Sequence, residues 1–294
     1  MIARGRGDLR IRGTTFAWGT RTYVMGIVNV TPDSFSGDGL LRDAPGAARD
    51  RAIGAAVEQA RRMVAEGADM LDVGGESTRP GHAAVGTDEE LARVLPVIRA
   101  IRAALPDAPL SIDTTKPEVA AGALDAGADC INDVWGTGPT DAVPRLAAAR
   151  RVPYVLMHNR AEARYADVVA EVTRDLRGAL DRAVAAGLDP ESIVLDPGIG
   201  FGKTMEHNLV LLRHLAALGA LGRPILLGTS RKSTIGRLLG GAPPDERLEG
   251  TLATTALGIA AGVDMVRVHD VLPNVRVARV CDAVVRGTMP VDGE

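Results

Sequence analysis

Short, almost wholly apolar runs alternate along the chain with longer stretches in which apolar residues recur every three or four positions. The runs fall at residues 24–30, 70–73, 110–112, 130–131, 154–157, 193–195, 225–227 and 265–268. Runs this short and uniform predict parallel strands buried on both faces. The amphipathic stretches predict helices at 47–66, 87–105, from 117 onward, at 140–149, 165–186 and 206–218, from 234 and again over 247–261, and finally from 273. Gly-Ala-Asp at 67–69 and 127–129, and Gly-Val-Asp at 262–264, each put a glycine just past a helix and lead into a strand. Eight consecutive strand–helix units close into an α/β (β/α)₈ barrel of the TIM type, whereas six would favour an open sheet. Residues 1–23 precede the barrel and predict a hairpin, with strands 9–12 and 15–23 around Gly13, capping the barrel floor. With no linker or low-complexity tract, residues 1–294 read as one domain, with the barrel over 24–288.

Composition agrees with this reading. Aromatic residues make up 3% of the chain against 46% apolar residues overall, which suits a core of small aliphatic side chains. The net charge of −3 gives no reason to expect nucleic acid or an anionic membrane as partner. No apolar run reaches the roughly 18 residues of a membrane helix. The first residues lack an apolar signal core. Cys130 and Cys281 lie in apolar elements with no second ligand at zinc spacing, so core packing in a reduced, cytoplasmic compartment is expected.

Enzymes on this barrel work where the strands end at their carboxyl side. All eight predicted strands end in polar groups there, whereas the opposite turns are mostly Gly, Ala and Asp. A single strand-end Asp is as readily a helix N-cap as a functional group. The set is harder to dismiss, because Asp113, Asn132, Asp196 and Lys232 come from four strands and converge on one cavity. Buried charges of this kind need each other or a ligand. Carboxylates that accept paired N–H donors, a carboxamide and an ammonium suit a flat heterocycle with an aminopyrimidinone edge. Arg79, Arg267 and His269 form a second, cationic group suited to an anion, with Asn29 able to offer a hard oxygen to Mg²⁺ beside it. Polar loops at 31–40 and 75–86, with Gly and Pro, are long enough to act as lids.

Ordered segments along nearly the whole chain then resemble one family. They are Gly-Ile-Val-Asn-Val-Thr-Pro-Asp-Ser-Phe-Ser at 26–36, Asp-Val-Gly-Gly-Glu-Ser-Thr-Arg-Pro-Gly at 72–81, Ser-Ile-Asp-Thr at 111–114, Ile-Asn-Asp at 131–133, Leu-Asp-Pro-Gly-Ile-Gly-Phe-Gly-Lys at 195–203, Ser-Arg-Lys-Ser at 230–233 and Arg-Val-His-Asp at 267–270. Together they resemble the dihydropteroate synthases of folate biosynthesis. The resemblance implies joining of 6-hydroxymethyl-7,8-dihydropterin pyrophosphate to p-aminobenzoate, with release of pyrophosphate. It implies Asn29 as the Mg²⁺ ligand. Asp113, Asn132, Asp196 and Lys232 would form the pterin pocket, with Met157 packed on the ring. Thr78, Arg79, Arg267 and His269 would serve the pyrophosphate and loop closure. Arg79, Pro80, Phe201, Lys232 and Ser233 would surround p-aminobenzoate. A homodimeric transferase and sulfonamide target is implied as well. Two rim segments depart from the family pattern: residues 36–40, Ser-Gly-Asp-Gly-Leu, and the stretch after His158, which is shorter than usual.

Other readings weigh less. Gly198 to Thr204 suggests a phosphate loop, but Pro197 stands where its first glycine is required. Lys203 reads as a solvated rim lysine. His82, His158, His207 and His214 are scattered without metal spacing and read as surface or rim residues. Phe201 on a glycine-rich loop favours ligand contact over core packing. A pterin-binding methyltransferase domain would share the barrel but needs a corrinoid partner and no diphosphate loop. A non-catalytic pterin-binding paralogue would have degraded first and second loops, and here both look intact.

Overall fold

The computed structural model describes residues 7–30, 46–76 and 85–288. A two-stranded antiparallel hairpin, β1 (Leu9–Ile11) and β2 (Thr14–Phe16), precedes an eight-stranded parallel sheet. The sheet strands are β3 (Tyr23–Asn29), β4 (Met70–Gly74), β5 (Leu110–Asp113), β6 (Cys130–Asp133), β7 (Tyr154–Met157), β8 (Ile193–Asp196), β9 (Leu226–Leu227) and β10 (Met265–Val268). Neighbours in sequence are neighbours in space, β10 pairs with β3, and a bridge between Leu195 and Ile225 joins β8 to β9, closing the ring. The outer layer is α1 (Gly46–Ala65), α2 (Thr87–Ala104), α3 (Pro117–Ala126), α4 (Ala142–Arg150), α5 (Val168–Ala185), α6 (Met205–Arg213), α7 (Ser233–Leu238), α8 (Leu248–Ala260) and α9 (Val271–Arg286). This is the (β/α)₈ barrel the pattern predicts. Among the described residues no helix is long and apolar enough to cross a membrane.

The Gly-x-Asp repeat has a structural cause. Gly67, Gly127 and Gly262 take φ of 100°, 115° and 92°, a conformation that costs glycine little and ends each helix. The following aspartates cap strand starts, since Asp69, Asp129 and Asp264 accept the backbone N–H of Val24, Leu110 and Ile225 on the adjoining strands. Most boundaries shift by one to three residues, and two elements differ more. The second hairpin strand is short, and residue 23 belongs to β3. The predicted helix 206–218 ends at Arg213 and continues as a 3₁₀ segment, Leu215–Leu221. Its buried leucines at 215, 218 and 221 recur every three residues, the period of a 3₁₀ turn.

Alternation along the strands divides the molecule into an outer shell and an inner column. Outward residues such as Val28, Val73, Ile112, Leu156 and Leu195 pack under the helices. Inward residues near the strand starts, Met25, Met70, Cys130, Val155, Val194, Leu226 and Met265, join Ile11, Phe16 and Trp18 of the N-terminal segment in a separate cluster. The hairpin thus plugs the barrel floor, with Phe16, Trp18 and Tyr23 ring centroids 4.8–5.4 Å apart. Above that floor the inward residues turn polar, which is where the site begins. Replacing Phe16 by Ala should remove roughly 3–5 kcal/mol of stability, the range for a fully buried aromatic ring. Urea denaturation checks this, and a loss below about 1 kcal/mol would mean that the plug does not seal the barrel.

Candidate active site

The centre of the site is one guanidinium shared by two carboxylates. Arg267, the third residue of β10, donates from Nε to Asp72 Oδ2 at 2.6 Å and from Nη2 to Asp113 Oδ2 at 2.7 Å. Asp72 is fully buried and also accepts from Ser111 Oγ at 2.5 Å and from Asn132 Nδ2 at 2.9 Å. Side chains from β10 thus join those of the paired strands β4, β5 and β6. Burial pushes the Asp113 carboxyl up to about 7, against the pull of Arg267 and with further repulsion from Asp72. One cation between two carboxylates cannot fully compensate both. Asp113 Oδ1 is buried without a hydrogen-bond partner, a polar atom left for a ligand.

A second cluster faces it from β8 and β9. Asp196 accepts from the Gly198 N–H at 2.7 Å through Oδ1, and burial raises its pKa although Lys232 opposes the shift. Lys232 donates to the Ile199 carbonyl and stands 4.2 Å from the centroid of the half-buried Phe201 ring. Burial lowers the Lys232 ammonium to about 8, and Arg267 adds repulsion. The preceding residue, Arg231, has a left-handed φ of 56°, uncommon for a residue with a side chain. It is fixed by two hydrogen bonds from its guanidinium to Asp270 at 2.5 and 2.9 Å. The turn that presents Lys232 is therefore tied to the end of β10.

The structure brings Asp113, Asn132, Asp196, Lys232 and Arg267 to one end of the barrel. Met157 lies buried at the end of β7 and Asn29 partly buried at the end of β3. Ser233 begins α7 and is exposed. His269 shares a hydrogen bond with Ser230 Oγ at 3.0 Å through Nδ1. Thr78, Arg79, Pro80 and His82, all of the predicted lid over 31–40 and most of that over 75–86 lie outside the described residues. Arg267, read from sequence as part of a cationic anion site, donates through Nε and Nη2 to Asp72 and Asp113. Asp72 and Ser111 were missed as site residues. Their signal was a polar side chain at an inward position of an apolar strand.

Two decoys also turn out otherwise than expected. Lys203 is largely covered rather than solvated, and bonds His158 Nδ1 at 2.9 Å, Gly198 O at 3.0 Å and Phe201 O at 3.1 Å. His158, the residue after β7, is fully buried: its N–H still bonds the Asp196 carbonyl at 2.9 Å and its ring lies between Asp175 and Lys203. Burial, then the Lys203 ammonium, lowers His158 to about 3, so its ring is neutral. His207 forms a capping box with Thr204, and His214 is exposed.

A barrel with polar strand ends of this kind defines a class, and residues 25–269 match the family model described as pterin binding enzyme. The chain is 48% identical to the dihydropteroate synthase of Clostridium beijerinckii over 279 residues, 95% of this chain and 100% of that one. A Clostridium difficile dihydropteroate synthase, solved in the presence of pteroic acid, superposes with a TM-score of 0.86 at 47% identity, covering 92% of this chain and 99% of that chain. The Xanthomonas albilineans enzyme, solved with 4-aminobenzoic acid, gives a TM-score of 0.84 at 45% identity over 94% and 96% of the two chains. The chain belongs to the dihydropteroate synthase family of pterin-binding enzymes.

The shared guanidinium makes a testable demand. Arg267→Met leaves Asp72 and Asp113 buried without their cation and should cost about 3–5 kcal/mol near pH 8. The raised pKa of Asp113 sets the sign of the pH dependence: below about 7 it takes up a proton, so the loss should shrink toward pH 5.5. Guanidinium denaturation at both pH values checks this, and a pH-independent loss would remove Asp113 from the account.

Proposed function

We propose that this chain condenses 6-hydroxymethyl-7,8-dihydropterin pyrophosphate with p-aminobenzoate, giving 7,8-dihydropteroate and pyrophosphate. The observation that carries the reading is the open carboxylate set above the barrel floor. Asp196 retains Oδ2 and Asn132 its carboxamide oxygen for the N–H-rich pterin edge, while Lys232 faces a ring carbonyl or nitrogen. Met157 offers the ring an apolar face. The relatives' names support the same substrates, as the Xanthomonas enzyme is described with 4-aminobenzoic acid.

The arylamine is neutral at pH 7, so its attack needs no strong base. Charge develops instead on the departing pyrophosphate and on the pterin methylene carbon. Asp113, with an unpartnered oxygen in the pocket, is suited to stabilise that carbon as the C–O bond breaks. The arylamine nitrogen then forms the new C–N bond and loses its proton to solvent or to the released pyrophosphate. Mg²⁺ fits this site as an ion shared with the substrate. Among the described residues no group of three or more His, Cys, Asp or Glu could hold a metal, whereas Asn29 sets one carboxamide oxygen at the end of β3. An ion held by one protein oxygen, diphosphate oxygens and water matches magnesium's preference. When bound, it would neutralise charge on the leaving diphosphate.

Two coarser features extend the proposal. A cytoplasmic setting suits a folate-pathway enzyme acting on phosphorylated small molecules. A homodimer is supported by exposed apolar residues on the packed pair α8 and α9, namely Leu257 at 68%, Val280 at 66% and Val284 at 81% exposure.

Purified protein should release pyrophosphate only with both substrates and Mg²⁺ present, and Asp113→Asn should lower kcat on the order of a hundredfold. Folded protein that binds the pterin without turnover would favour the binding-only paralogue. Unchanged turnover in Asp113→Asn would remove its cation-stabilising role. Separately, Val280→Glu with Val284→Glu should convert a dimer to monomer in sedimentation velocity. A monomeric parent protein would overturn the dimer.

A further inference from the structure

The loop over 197–204 joins β8 to α6 and walls the site with Phe201. Gly198, Gly200 and Gly202 have φ of 68°, 84° and 53°, so the loop cannot form a repeating backbone ladder. Besides one backbone turn, Phe201 N–H to Gly198 O at 3.1 Å, its carbonyls are held by side chains, from Lys203 within the loop and from Lys232 and Tyr165 outside it. Ile199 O accepts from Lys232, and Gly202 O from the Tyr165 hydroxyl at 2.9 Å. Gly198 O and Phe201 O both accept from Lys203 Nζ, which makes its third bond to His158 Nδ1. A side chain at 198 or 202 would strike the His158 or Arg160 carbonyl, so the two rim loops touch through backbone as well.

His158 is itself oriented. Its Nε2 lies 3.3 Å from Asp175 Oδ2, and Arg160 holds Asp175 at 2.6 Å and Glu171 at 2.9 Å. With Nε2–H given to Asp175, Nδ1 is the lone pair that Lys203 needs. A continuous chain thus runs from α5 through Asp175 and His158 to Lys203 and on to the Phe201 backbone. Asp113, Asn132 and Asp196 sit on strands and hold their positions without this chain. Phe201 sits on a loop, not a strand.

We propose that Lys203 is a positioning residue for the arylamine subsite, holding Phe201 in place by anchoring the 197–204 loop to His158. The inference rests on the proposed condensation, in which Phe201 borders p-aminobenzoate. It assigns Lys203 to neither substrate directly.

The test compares the wild-type enzyme with Lys203→Met, which keeps the chain length and removes the donor, and with Lys203→Arg, which restores a cation. Lys203→Met should raise KM for p-aminobenzoate roughly tenfold or more, as expected when a contact surface is displaced. KM for the pterin pyrophosphate should stay within about threefold, because the strand-borne groups are untouched. Lys203→Arg should recover part of the loss, and hydrogen exchange at residues 198–203 should quicken in Lys203→Met alone. Tyr165→Phe removes the outer anchor at Gly202 with little risk to folding. It should shift the same KM in the same direction and keeps the question open to test if Lys203→Met does not fold. Equal effects on both KM values, or a lower melting temperature with both unchanged, would overturn the positioning role. A wild-type enzyme without turnover would instead sink the proposed condensation.

Discussion

The functional end of this barrel depends on a charge imbalance that the fold keeps buried. Two aspartates from adjacent strands, Asp72 and Asp113, share the single guanidinium of Arg267. Either carboxylate alone would form an ordinary ion pair. Two together leave Asp113 poised between ionised and neutral, with one oxygen unsatisfied. Folding tolerates this because Ser111 and Asn132 hold Asp72, and because the apolar floor beneath is sealed by the hairpin. The residual demand for a donor or a positive partner is what the site offers a ligand.

The remaining site is arranged around that centre by indirect means. Lys232 reaches the pocket from a turn whose left-handed Arg231 is fixed by Asp270 at the end of the neighbouring strand. The Phe201 loop is shaped by its own Lys203, by Tyr165 from the loop before α5 and by Lys232 from the turn after β9, since its own backbone cannot be regular. Precision at the rim thus comes from ties between consecutive loops, while precision at the pocket floor comes from rigid strands.

Much of this was legible in the residues. Strand starts and helix stops were marked by Gly-x-Asp, because one residue type has the backbone freedom and the next has the capping oxygen. Asp113, Asn132, Asp196 and Lys232 could be read as converging because each lies at or just beyond the carboxyl end of a strand of a closed barrel. The pattern assigns Asp72 and Ser111 no site role, because they lie one step deeper, inside strands rather than at their ends. His158 and Lys203 were read as rim residues, since nothing local to either shows that the other covers it.

The sequence by itself determined the order and number of the βα units, the floor-to-rim change from apolar to polar along each strand, and the residue types available at the rim. These follow from local periodicity and backbone preference, which act within a few residues. Tertiary structure decided which charges meet. That Arg267 serves Asp72 and Asp113 at once, and that Lys203 bonds His158, depends on contacts between residues 45 to 195 positions apart. Charge pairing depends on distance and burial, and closure of the barrel sets both.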